Sequence, residues 1–409
     1  MGDAMTKQPP TKGPMTADAP DYAALYRSVL QGEFYGADYY RPPASDIDSA
    51  IIYDDGEDKR ATAAFLSLCF GPRRALEAGC AMGLLVKALR GWGVEADGFD
   101  FSRWCVENAH PAAKAWVRWG DVLDLAPPER PYDLVLALDI LEHVPPDSVP
   151  RMLANLAAAL EPGGLLFTVV PAYGPNAWGP ELYPLAYEEW RRDATAGVPF
   201  KNIPLDDKGR PHLGHLTHAA IGWWEAAFAR AGLRRLGDVE RILHDKFDAA
   251  FEYPRRSFFL FAKAGRFGAG RAARRLRRRI EAVPGLPRGF FEWERWGDVW
   301  ARWTRAEARD VVEVRGRSRL VLRAACHHPD IAERPVTVNF AVPGGGTESV
   351  EFRDAGWRDI DLALPRGEFA LVAIKVSRTW CPEPDVPEIR RRDLGAAVAY
   401  PSSDHRKGR

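Results

Sequence analysis

The sequence predicts an α/β domain with a mostly parallel sheet, followed by a separate all-β domain. From about residue 60 to residue 265, apolar strand-like runs alternate with helical patterns, which is typical of a parallel sheet covered by helices on both faces. Beyond about residue 310 the apolar residues recur with a period of two, in short runs separated by turn clusters such as "PGGG". The chain has 409 residues and 46% of them are hydrophobic, so it can bury a core in each domain.

The composition limits which partners and which kinds of structural site the protein is expected to have. The chain carries 56 lysines and arginines against 56 aspartates and glutamates, so no net field attracts nucleic acid and we expect none as a partner. Its five cysteines are odd in number and lack metal-binding spacing, which argues against a disulfide framework or a structural zinc site. No apolar run approaches the roughly 18 residues of a membrane span. We therefore predict a cytoplasmic protein without an integral membrane segment.

The α/β pattern divides into individual elements. Apolar runs predict strands at 74–79, 94–100, 115–119, 132–138 and 164–170. Helical spacing predicts helices at 83–91, 102–109 and 147–160, the last ended by the Pro-Gly sequence "EPGG". A further helix, "IGWWEAAFARAGL", precedes two strands, at 234–243 and at "SFFLFAK", which we expect to pair antiparallel at the edge of the sheet.

Composition also predicts the domain boundaries. Residues 1–20 form a disordered leader, residues 21–265 the α/β domain, and residues 310–402 a jelly-roll-like β-sandwich. Residues 266–309 form a basic helical linker between the two domains. Its arginine-rich stretch at 270–286 is either a solvated helix, which we favour, or a patch for an anionic surface or phosphorylated ligand, which would allow peripheral membrane association.

One long segment of the α/β domain has no clear periodicity. Residues 171–214 hold several prolines together with tyrosine, tryptophan and phenylalanine side chains. A loop this long inside a compact domain is more often an active-site cover than a neutral connection. We therefore predict that residues 171–214 form a substrate lid.

A glycine-containing turn, "EAGCAMG", joins the first predicted strand to the following helix. Gly79 and Gly83 let the backbone approach a bound group closely, whereas Ala81 occupies a position where glycine is commoner. Asp100 follows 21 residues after Gly79, at the end of the next strand, where a carboxylate can accept hydrogen bonds from both hydroxyls of a ribose. Asp121 follows the third strand and could accept from an adenine amino group. The alternative for both aspartates is ordinary turn capping.

These motifs resemble those of class I S-adenosylmethionine-dependent methyltransferases over about residues 60 to 265. The turn resembles that family's (E/D)xGxGxG motif, "GFDFS" its "GxDxS" motif, and "YDLVLALDILEHV" and "LEPGGLLFTVV" its fourth and fifth strands. More narrowly, the turn and "HLTHAAIGWWEAAFARAGL" together resemble methyltransferases encoded among bacterial polysaccharide-assembly enzymes. The resemblance implies a Rossmann-like, seven-stranded sheet with one antiparallel strand.

The resemblance also implies a binding site for S-adenosylmethionine. The methionine end is expected at the glycine loop, the ribose at the end of the second strand, and the adenine after the third strand. The residues expected to bind the cofactor are Glu77, Gly79, Ala81, Gly83, Asp100, Phe101, Asp121, Val122 and Leu138. The upstream stretch "YGADYYRPP" could close over the cofactor through Tyr39, Tyr40 and Arg41, and the alternative is packing against the first helix.

A carboxylate and histidine cluster follows the fourth predicted strand, where open α/β sheets bind ligands. Asp139 and Glu142 are spaced to share one face of a helical turn, and His143 adds a nitrogen ligand. The cluster resembles the ExxEH motif, completed by a distant histidine, of metal-dependent methyltransferases acting on ubiquinone precursors and small-RNA 2′-hydroxyls. Position favours His215 for that ligand, with His218 second. We expect a divalent metal, Mg²⁺, held by Asp139, Glu142, His143 and His215, and the alternative is a metal-free helix cap.

The sequence thus predicts an O-methyltransferase that acts on a sugar hydroxyl of a glycan or activated sugar, assisted by the metal. His143, His215 and His218 are the candidate general bases. The C-terminal "SRTW" and "RDLG" resemble the end of accessory β-modules fused to glycan-assembly enzymes, which we expect as partners. In this module, Trp357 and Trp380 either stack on sugars or pack in the core.

Two other functions stay open at this point. One is methyl transfer to a small aromatic or natural-product scaffold, with the β-module serving only for assembly. The other is a non-catalytic glycan-binding protein whose methyltransferase domain has become structural.

Overall fold

The structure is a computed structural model, in which the chain divides into two compact units. The first consists of Met1–Asp55, Pro72–Lys87 and Glu95–Arg275, and the second of Gly56–Gly71, Ala88–Val94 and Leu276–Arg409. The predicted leader lies outside the described residues except for Met15. The residues that the structure describes are 15, 21–31, 35–36, 40, 57–175, 183–206, 208–248, 258–263, 268–296, 299–314, 316–383 and 392–400.

A seven-stranded sheet forms the centre of the first unit. The strands of this unit are β1 (Arg74–Ala78), β2 (Glu95–Asp100), β3 (Val117–Trp119), β4 (Tyr132–Leu138), β5 (Leu160–Val169), β6 (Ala172–Tyr173), β7 (Ala219–Ala220), β8 (Leu233–Arg235) and β9 (Phe258–Lys263). Strands β6 and β7 pair with each other, and the other seven lie in the order β3-β2-β1-β4-β5-β9-β8. Strand β9 is antiparallel to both of its neighbours, β5 and β8. The Rossmann-like, seven-stranded sheet with one antiparallel strand is therefore confirmed.

The apolar runs of the sequence explain the central strands. Strand β4 reads YDLVLAL and is buried along most of its length, because a parallel strand covered on both faces needs a near-continuous apolar run. The register places Ala78 of β1 beside Phe99 of β2 and beside Ala137 of β4. The segments that leave these three strands therefore begin side by side at one edge of the sheet, and they carry most of the predicted site residues.

Helices connect the strands of the sheet and cover it. Met152 and Leu156 of one helix and Trp224 and Phe228 of another belong to a single buried cluster with Phe261 of β9. This cluster contains the apolar residues that the helical spacing predicts for the core. The α-helices of the described chain are α1 (Tyr22–Gln31), α2 (Glu57–Phe70), α3 (Leu84–Gly91), α4 (Arg103–Glu107), α5 (Val149–Ala159), α6 (Glu188–Ala196), α7 (Ile221–Arg230), α8 (Gly237–Phe247) and α9 (Gly268–Ala282).

The strand predicted at 234–243 is wrong beyond Arg235. The following residues form α8, which buries Val239, Leu243 and Phe247 on one face. Four-residue spacing of buried side chains is helical, and acidic residues in the first turn favour a helix N-terminus. The aliphatic run "LGDVERIL" suggested a strand because so short a window fits both periods.

The segment 171–214, predicted to be irregular, contains helix α6 and strand β6 among its described residues. Tyr173, Trp190 and Phe200 are buried against one another in a small apolar cluster of their own. These three aromatic side chains therefore stabilise the segment itself. Residues 176–182 and 207, which include Trp178, lie outside the described residues. The role of the segment as a substrate lid stays a prediction.

An eight-stranded antiparallel sheet forms the second unit, which confirms its predicted all-β class. Its strands are β10 (Arg288–Trp296), β11 (Val299–Glu313), β12 (Arg319–Ala325), β13 (Val336–Ala341), β14 (Thr347–Phe352), β15 (Arg358–Ala363), β16 (Phe369–Val376) and β17 (Ala397–Ala399). They lie in the order β14-β13-β16-β11-β17-β12-β15, and β10 pairs with β11. The two end strands meet where the backbone N–H of Asp361 donates to Oε2 of Glu348 at 3.0 Å, so the sheet is nearly closed.

The second sheet begins earlier in the chain than the period-two pattern indicates. Strands β10 and β11 lie at 288–313, within and just beyond the predicted helical linker at 266–309, where α9 is the only helix among the described residues. The pairing of β10 with β11 contains register shifts, which interrupt the alternation of apolar residues. The period-two pattern therefore did not predict these strands. Helix α9 buries Leu276 and Ile280, and its role at an anionic surface stays a prediction.

Trp357 and Trp380 pack with Trp303 and Leu394 in a second apolar cluster of the β unit. Among the alternatives for these two tryptophans, packing is thus the one with observed contacts. Within the described ranges, no helix combines the length and the apolar character that crossing a bilayer requires.

Candidate functional site

The glycine loop lies between β1 and α3 and turns the chain sharply. Gly79, Ala81 and Gly83 all have positive φ angles, of 68°, 46° and 76°. Glycine adopts this conformation at little steric cost, whereas it is uncommon for alanine. The backbone N–H groups of Gly79 and Cys80 donate to the carbonyl of Phe99 at 2.9 and 3.1 Å. The loop is therefore tied to the end of β2.

We expect Gly79→Ala to lower the free energy of unfolding by about 1–3 kcal/mol, because alanine there adds both strain and a clash. A Cβ atom at this position would lie 2.3 Å from Cγ2 of Ile140. Gly91→Ala is the matched control, since a Cβ at that helical position meets nothing within 4 Å. Chemical denaturation of both variants checks the prediction, and equal stabilities would contradict it.

Asp100 holds the glycine loop through its carboxylate. The backbone N–H of Ala81 donates to its Oδ2 and that of Ser102 to its Oδ1, both at 2.8 Å. The side chain is only 5% exposed, and burial raises its pKa to about 6 although the two hydrogen bonds lower it. Each carboxylate oxygen keeps capacity to accept one further hydrogen bond. Asp100 thus shapes the loop and can still accept hydrogen bonds from a ligand.

The side chain of Asp121 caps the turn in which it lies, as the capping alternative expects. Its Oδ1 accepts from the backbone N–H of Leu123 at 2.8 Å, and its Oδ2 accepts from the hydroxyl of Tyr26 at 3.3 Å. The carbonyl of the next residue, Val122, accepts from the side-chain amide of Asn155 at 2.9 Å. A ligand at this position would share acceptors that the protein already uses.

The remaining predicted cofactor residues lie at the same edge of the sheet. Glu77 is buried in β1, Leu138 is the last residue of β4, and Phe101 directly follows β2. The ring of Phe101 contacts the ring of Tyr35 edge to face, with centroids 5.3 Å apart. The expected cofactor residues therefore surround the ends of β1, β2 and β4, as the parallel register requires.

The structure brings together three of the four predicted metal ligands. One ligand atom from each of Glu142, His143 and His215 lies within 4.8 Å of the others. Asp139 lies outside this group, exposed directly after β4 with a positive φ of 53°. The carbonyl of Glu142 accepts the backbone N–H groups of the two residues after His215, at 2.7 and 2.9 Å. These bonds join the two distant parts of the chain.

A strained turn delivers His215 to this cluster. Leu213 and Gly214 both have positive φ angles, of 54° and 76°, so the chain reverses immediately before His215. The turn also directs the carbonyl of Gly214 to within 3.2 Å of Nδ1 of His143. No pattern in the sequence indicates this turn, because leucine rarely adopts such a conformation.

Glu142 is a buried carboxylate, 1% exposed. Within the part of the chain that the structure describes, neither of its oxygens has a hydrogen-bond partner, and Nε2 of His215 lies 3.8 Å from Oε1. Burial raises the pKa of Glu142 well above its ordinary value, and the charge of Asp139 raises it further. An unpaired buried charge is costly, and a cation is a partner that this geometry admits.

The donor set fits a divalent metal. It contains two imidazoles and one carboxylate, which suit first-row ions such as Mn²⁺, Fe²⁺ or Zn²⁺ better than Mg²⁺, an ion that prefers oxygen ligands. Burial lowers the pKa of His143 to about 4, so its ring is neutral. The Gly214 carbonyl can only accept, so a hydrogen bond to it requires the ring proton on Nδ1 of His143, which would leave the Nε2 lone pair for a ligand.

His218, the third predicted base, lies beside the cluster and outside the ligand group. Its ring centroid is 5.8 Å from that of His215, and its Nδ1 lies 3.0 Å from the hydroxyl of Tyr173. Its ring also stacks on Trp190 at 5.9 Å. Burial lowers the pKa of His218 to about 4, so it is a weak base in this environment.

The upstream aromatic stretch contributes a residue that the sequence interpretation missed. Tyr39 and Arg41 lie outside the described residues, and Tyr40 stacks on Trp104 with centroids 6.0 Å apart. Tyr35, at the start of the same stretch, places its hydroxyl 2.6 Å from Nδ1 of His143. A tyrosine so far from the motif in sequence carries no periodic or spacing signal that would have identified it.

Comparison with known proteins finds similarity in the central part of the chain. Residues 54–234 match the family model described as a methyltransferase domain. The ubiquinone biosynthesis O-methyltransferase of Coxiella burnetii is 32% identical over 100 residues, which cover 23% of this chain and 42% of that protein. The chain thus spans less than half the length of the first curated relatives it matches. The protein of the same description from Alkalilimnicola ehrlichii is 29% identical over 197 residues, covering 38% of this chain and 78% of that protein.

Solved structures of methyltransferases are also similar to part of the chain. The complex of DhpI with S-adenosylhomocysteine has a TM-score of 0.36 and 19% identity, covering 60% of this chain and 98% of that one. The 1,6-didemethyltoxoflavin-N1-methyltransferase of Burkholderia thailandensis also has a TM-score of 0.36, with 18% identity, covering 62% of this chain and 94% of that one. These identities and TM-scores are low, and no argument is based on them.

Proposed function

We propose that this chain, in which residues 54–234 match a methyltransferase domain, is an S-adenosylmethionine-dependent O-methyltransferase. Its proposed acceptor is one of two vicinal hydroxyls of a sugar, in a glycan or an activated sugar, and a divalent metal assists. The observation that carries the proposal is the position of the Glu142, His143 and His215 cluster. It follows β4, at the sheet edge where Gly79 follows β1 and Asp100 ends β2.

The end of β2 supports the cofactor part of the proposal. Asp100 fixes the glycine loop through the N–H of Ala81, so a loop without bulky side chains and an acceptor for ribose hydroxyls are held in one arrangement. Positive φ angles at Gly79 and Gly83 keep the backbone open to a close approach by the ligand. This preorganisation is what a nucleoside-type methyl donor requires.

The cluster supports O-methyl transfer. In that reaction the acceptor oxygen bonds to the methyl carbon while the carbon–sulfur bond breaks in line, and the hydroxyl proton leaves. A divalent ion held by Glu142, His143 and His215 would favour the ionised form of the acceptor hydroxyl. The protein itself orients His143 through the Gly214 carbonyl and excludes water around Glu142, which is 1% exposed.

A second acceptor class is an aromatic vicinal diol. The curated relatives, which are described as ubiquinone biosynthesis O-methyltransferases, support an acceptor other than a sugar. The resemblance of the glycine loop and "HLTHAAIGWW" to polysaccharide-associated methyltransferases favours the sugar. Both acceptors offer two adjacent hydroxyls that can chelate one ion. The association of Asp100 with an intact ligand cluster argues against a purely structural domain.

A transfer assay separates these acceptors. The full chain is incubated with radiolabelled S-adenosylmethionine and Mn²⁺, and with separate panels of nucleotide sugars, oligosaccharides and catechols. Label in a sugar supports the proposal, and label only in catechols would favour the second acceptor class. Absence of S-adenosylhomocysteine binding in calorimetry would remove the enzymatic function altogether.

We expect removal of divalent metal to abolish turnover while cofactor binding survives. Excess EDTA followed by gel filtration should leave the affinity for S-adenosylhomocysteine within about twofold of its original value, because Asp100 lies outside the ligand group. Restoring Mn²⁺ should restore turnover with the acceptor identified above. Full turnover in the presence of the chelator would exclude the metal from the reaction.

A further inference from the structure

We infer that Tyr35 is a positioning residue that orients His143 for metal binding and ties it to the cofactor end of the site. The inference rests on the proposed function, because it assigns a partner to a ligand of the proposed metal. Tyr35 lies more than a hundred residues before His143 in the chain, and its hydroxyl contacts Nδ1 of His143.

The contacts of the phenol hold the imidazole ring in one orientation. The Tyr35 hydroxyl lies 2.6 Å from Nδ1 of His143, and the two rings meet edge to face with centroids 5.3 Å apart. The Gly214 carbonyl lies 3.2 Å from the same nitrogen. With Nδ1–H shared between the carbonyl and the phenol oxygen, the ring plane is fixed and the Nε2 lone pair is left for a ligand. Tyr35 is 7% exposed, so water competes little for this contact.

Tyr35 is itself held by residues around the ribose acceptor. Its carbonyl accepts the hydroxyl of Ser102 at 2.8 Å, and its ring packs on Phe101. The backbone N–H of Ser102 donates to Asp100 at 2.8 Å. Direct contacts therefore run from Asp100 through Ser102 and Tyr35 to His143, which joins the expected ribose position to the expected metal position.

The contact pattern is that of an outer-shell partner in a metal site. Such partners fix the tautomer and orientation of a ligating histidine, and their loss typically weakens metal binding about 10- to 100-fold. Removing the Tyr35 hydroxyl alone leaves the ring packing on Phe101 and the backbone bond to Ser102 in place. The cofactor end should therefore be unaffected by Tyr35→Phe.

The test compares Tyr35→Phe with Tyr132→Phe in the full chain. Tyr132→Phe also removes a hydroxyl hydrogen bond, which Tyr132 donates to Asp97 at 3.0 Å. Tyr132 lies at the start of β4, away from the cluster. Calorimetric titration with Mn²⁺ should show about 10- to 100-fold weaker binding for Tyr35→Phe and unchanged binding for Tyr132→Phe. The affinity of both variants for S-adenosylhomocysteine should stay within about twofold of the wild type, which also reports correct folding.

A spectroscopic measurement makes the test independent of stability. At saturating Co²⁺, the visible absorption of Tyr35→Phe should differ from that of the wild type, because the orientation of one ligand has changed. Equal Mn²⁺ affinities and identical Co²⁺ spectra, or a wild type that binds no Mn²⁺, would overturn the inference. If the wild type does not bind S-adenosylhomocysteine but Tyr35→Phe still weakens Mn²⁺ binding, the proposed function is wrong and this inference still holds.

Discussion

Replacing Asp100 with alanine is expected to lower the affinity for S-adenosylhomocysteine by about 10- to 150-fold for each charged hydrogen bond lost, which corresponds to about 1.5–3 kcal/mol. The buried carboxylate is the proposed acceptor for the ribose hydroxyls and also fixes the glycine loop through the N–H of Ala81. Isothermal titration calorimetry of wild type and variant measures the change. Unchanged affinity would place the cofactor elsewhere in the molecule.

Asp100→Asn is the matched variant for this prediction. It keeps the size of the side chain and one acceptor oxygen, so it should retain more of the loop geometry than alanine does. In Asp100→Ala the N–H groups of Ala81 and Ser102 lose their shared partner, and we expect the free energy of unfolding to fall by about 1–3 kcal/mol. Thermal unfolding of both variants separates loss of loop structure from loss of the ribose contact.

The wild type supplies a pH control for the same carboxylate. Burial raises the pKa of Asp100 to about 6, so the carboxylate is ionised above that pH and takes up a proton below it. Affinity for S-adenosylhomocysteine should therefore be constant above about pH 7 and decrease as the pH falls through 6, approaching about tenfold per pH unit. Asp100→Asn should lack this decrease, and an equal decrease in both proteins would assign the titration to another group.

Replacing Glu142 with glutamine is expected to stabilise the metal-free protein while removing metal binding. The Glu142 carboxylate is 1% exposed and has no hydrogen-bond partner among the described residues. Removing its charge should raise the free energy of unfolding by about 1–3 kcal/mol. The loss in Mn²⁺ affinity should exceed the about 100-fold typical of outer-shell partners, because a direct ligand is lost. Thermal unfolding with and without Mn²⁺ measures both effects.

Glu240→Gln is the control of opposite sign. Glu240 is also buried, but its carboxylate pairs with Arg235 at 2.7 Å and accepts the N–H of Leu260 at 2.8 Å. Breaking that pair should destabilise the protein by about 3–5 kcal/mol and leave Mn²⁺ binding unchanged. If both glutamine variants shift stability in the same direction, the distinction between a paired structural carboxylate and an unpaired ligand carboxylate is wrong.

The sequence predicted the central sheet because local patterns encode it. Short, largely buried runs mark β1, β2 and β4. Gly79 directly follows β1, Asp100 ends β2, and Glu142 lies shortly after β4. Parallel pairing then requires these residues to share one edge, so their proximity follows from topology. Short or irregular elements were harder to predict from the sequence. The strand predicted at 234–243 ends at Arg235 and most of the remainder belongs to α8, because so short a window fits both the helical and the strand period.

The completion of the cluster could be only partly predicted. Position in the chain favoured His215, and the structure places it with Glu142 and His143, but the same reasoning included Asp139, which lies outside the group. The deciding feature is the strained turn at Leu213 and Gly214. No local preference encodes that turn, since it is stabilised by bonds from the 142–144 segment to residues distant in the chain.

The amino-acid order alone therefore determined the class of each domain, the central strands of the first, and the chemistry present at the strand ends. Only the tertiary structure decided which side chains are buried without a hydrogen-bond partner and which contact a residue from a distant segment of the chain. Glu142 and Tyr35 show the difference, one a buried carboxylate without a hydrogen-bond partner among the described residues and the other a phenol against His143. The physical reason is that periodicity reports local burial, whereas desolvation and side-chain contacts depend on the packing of segments far apart in the chain.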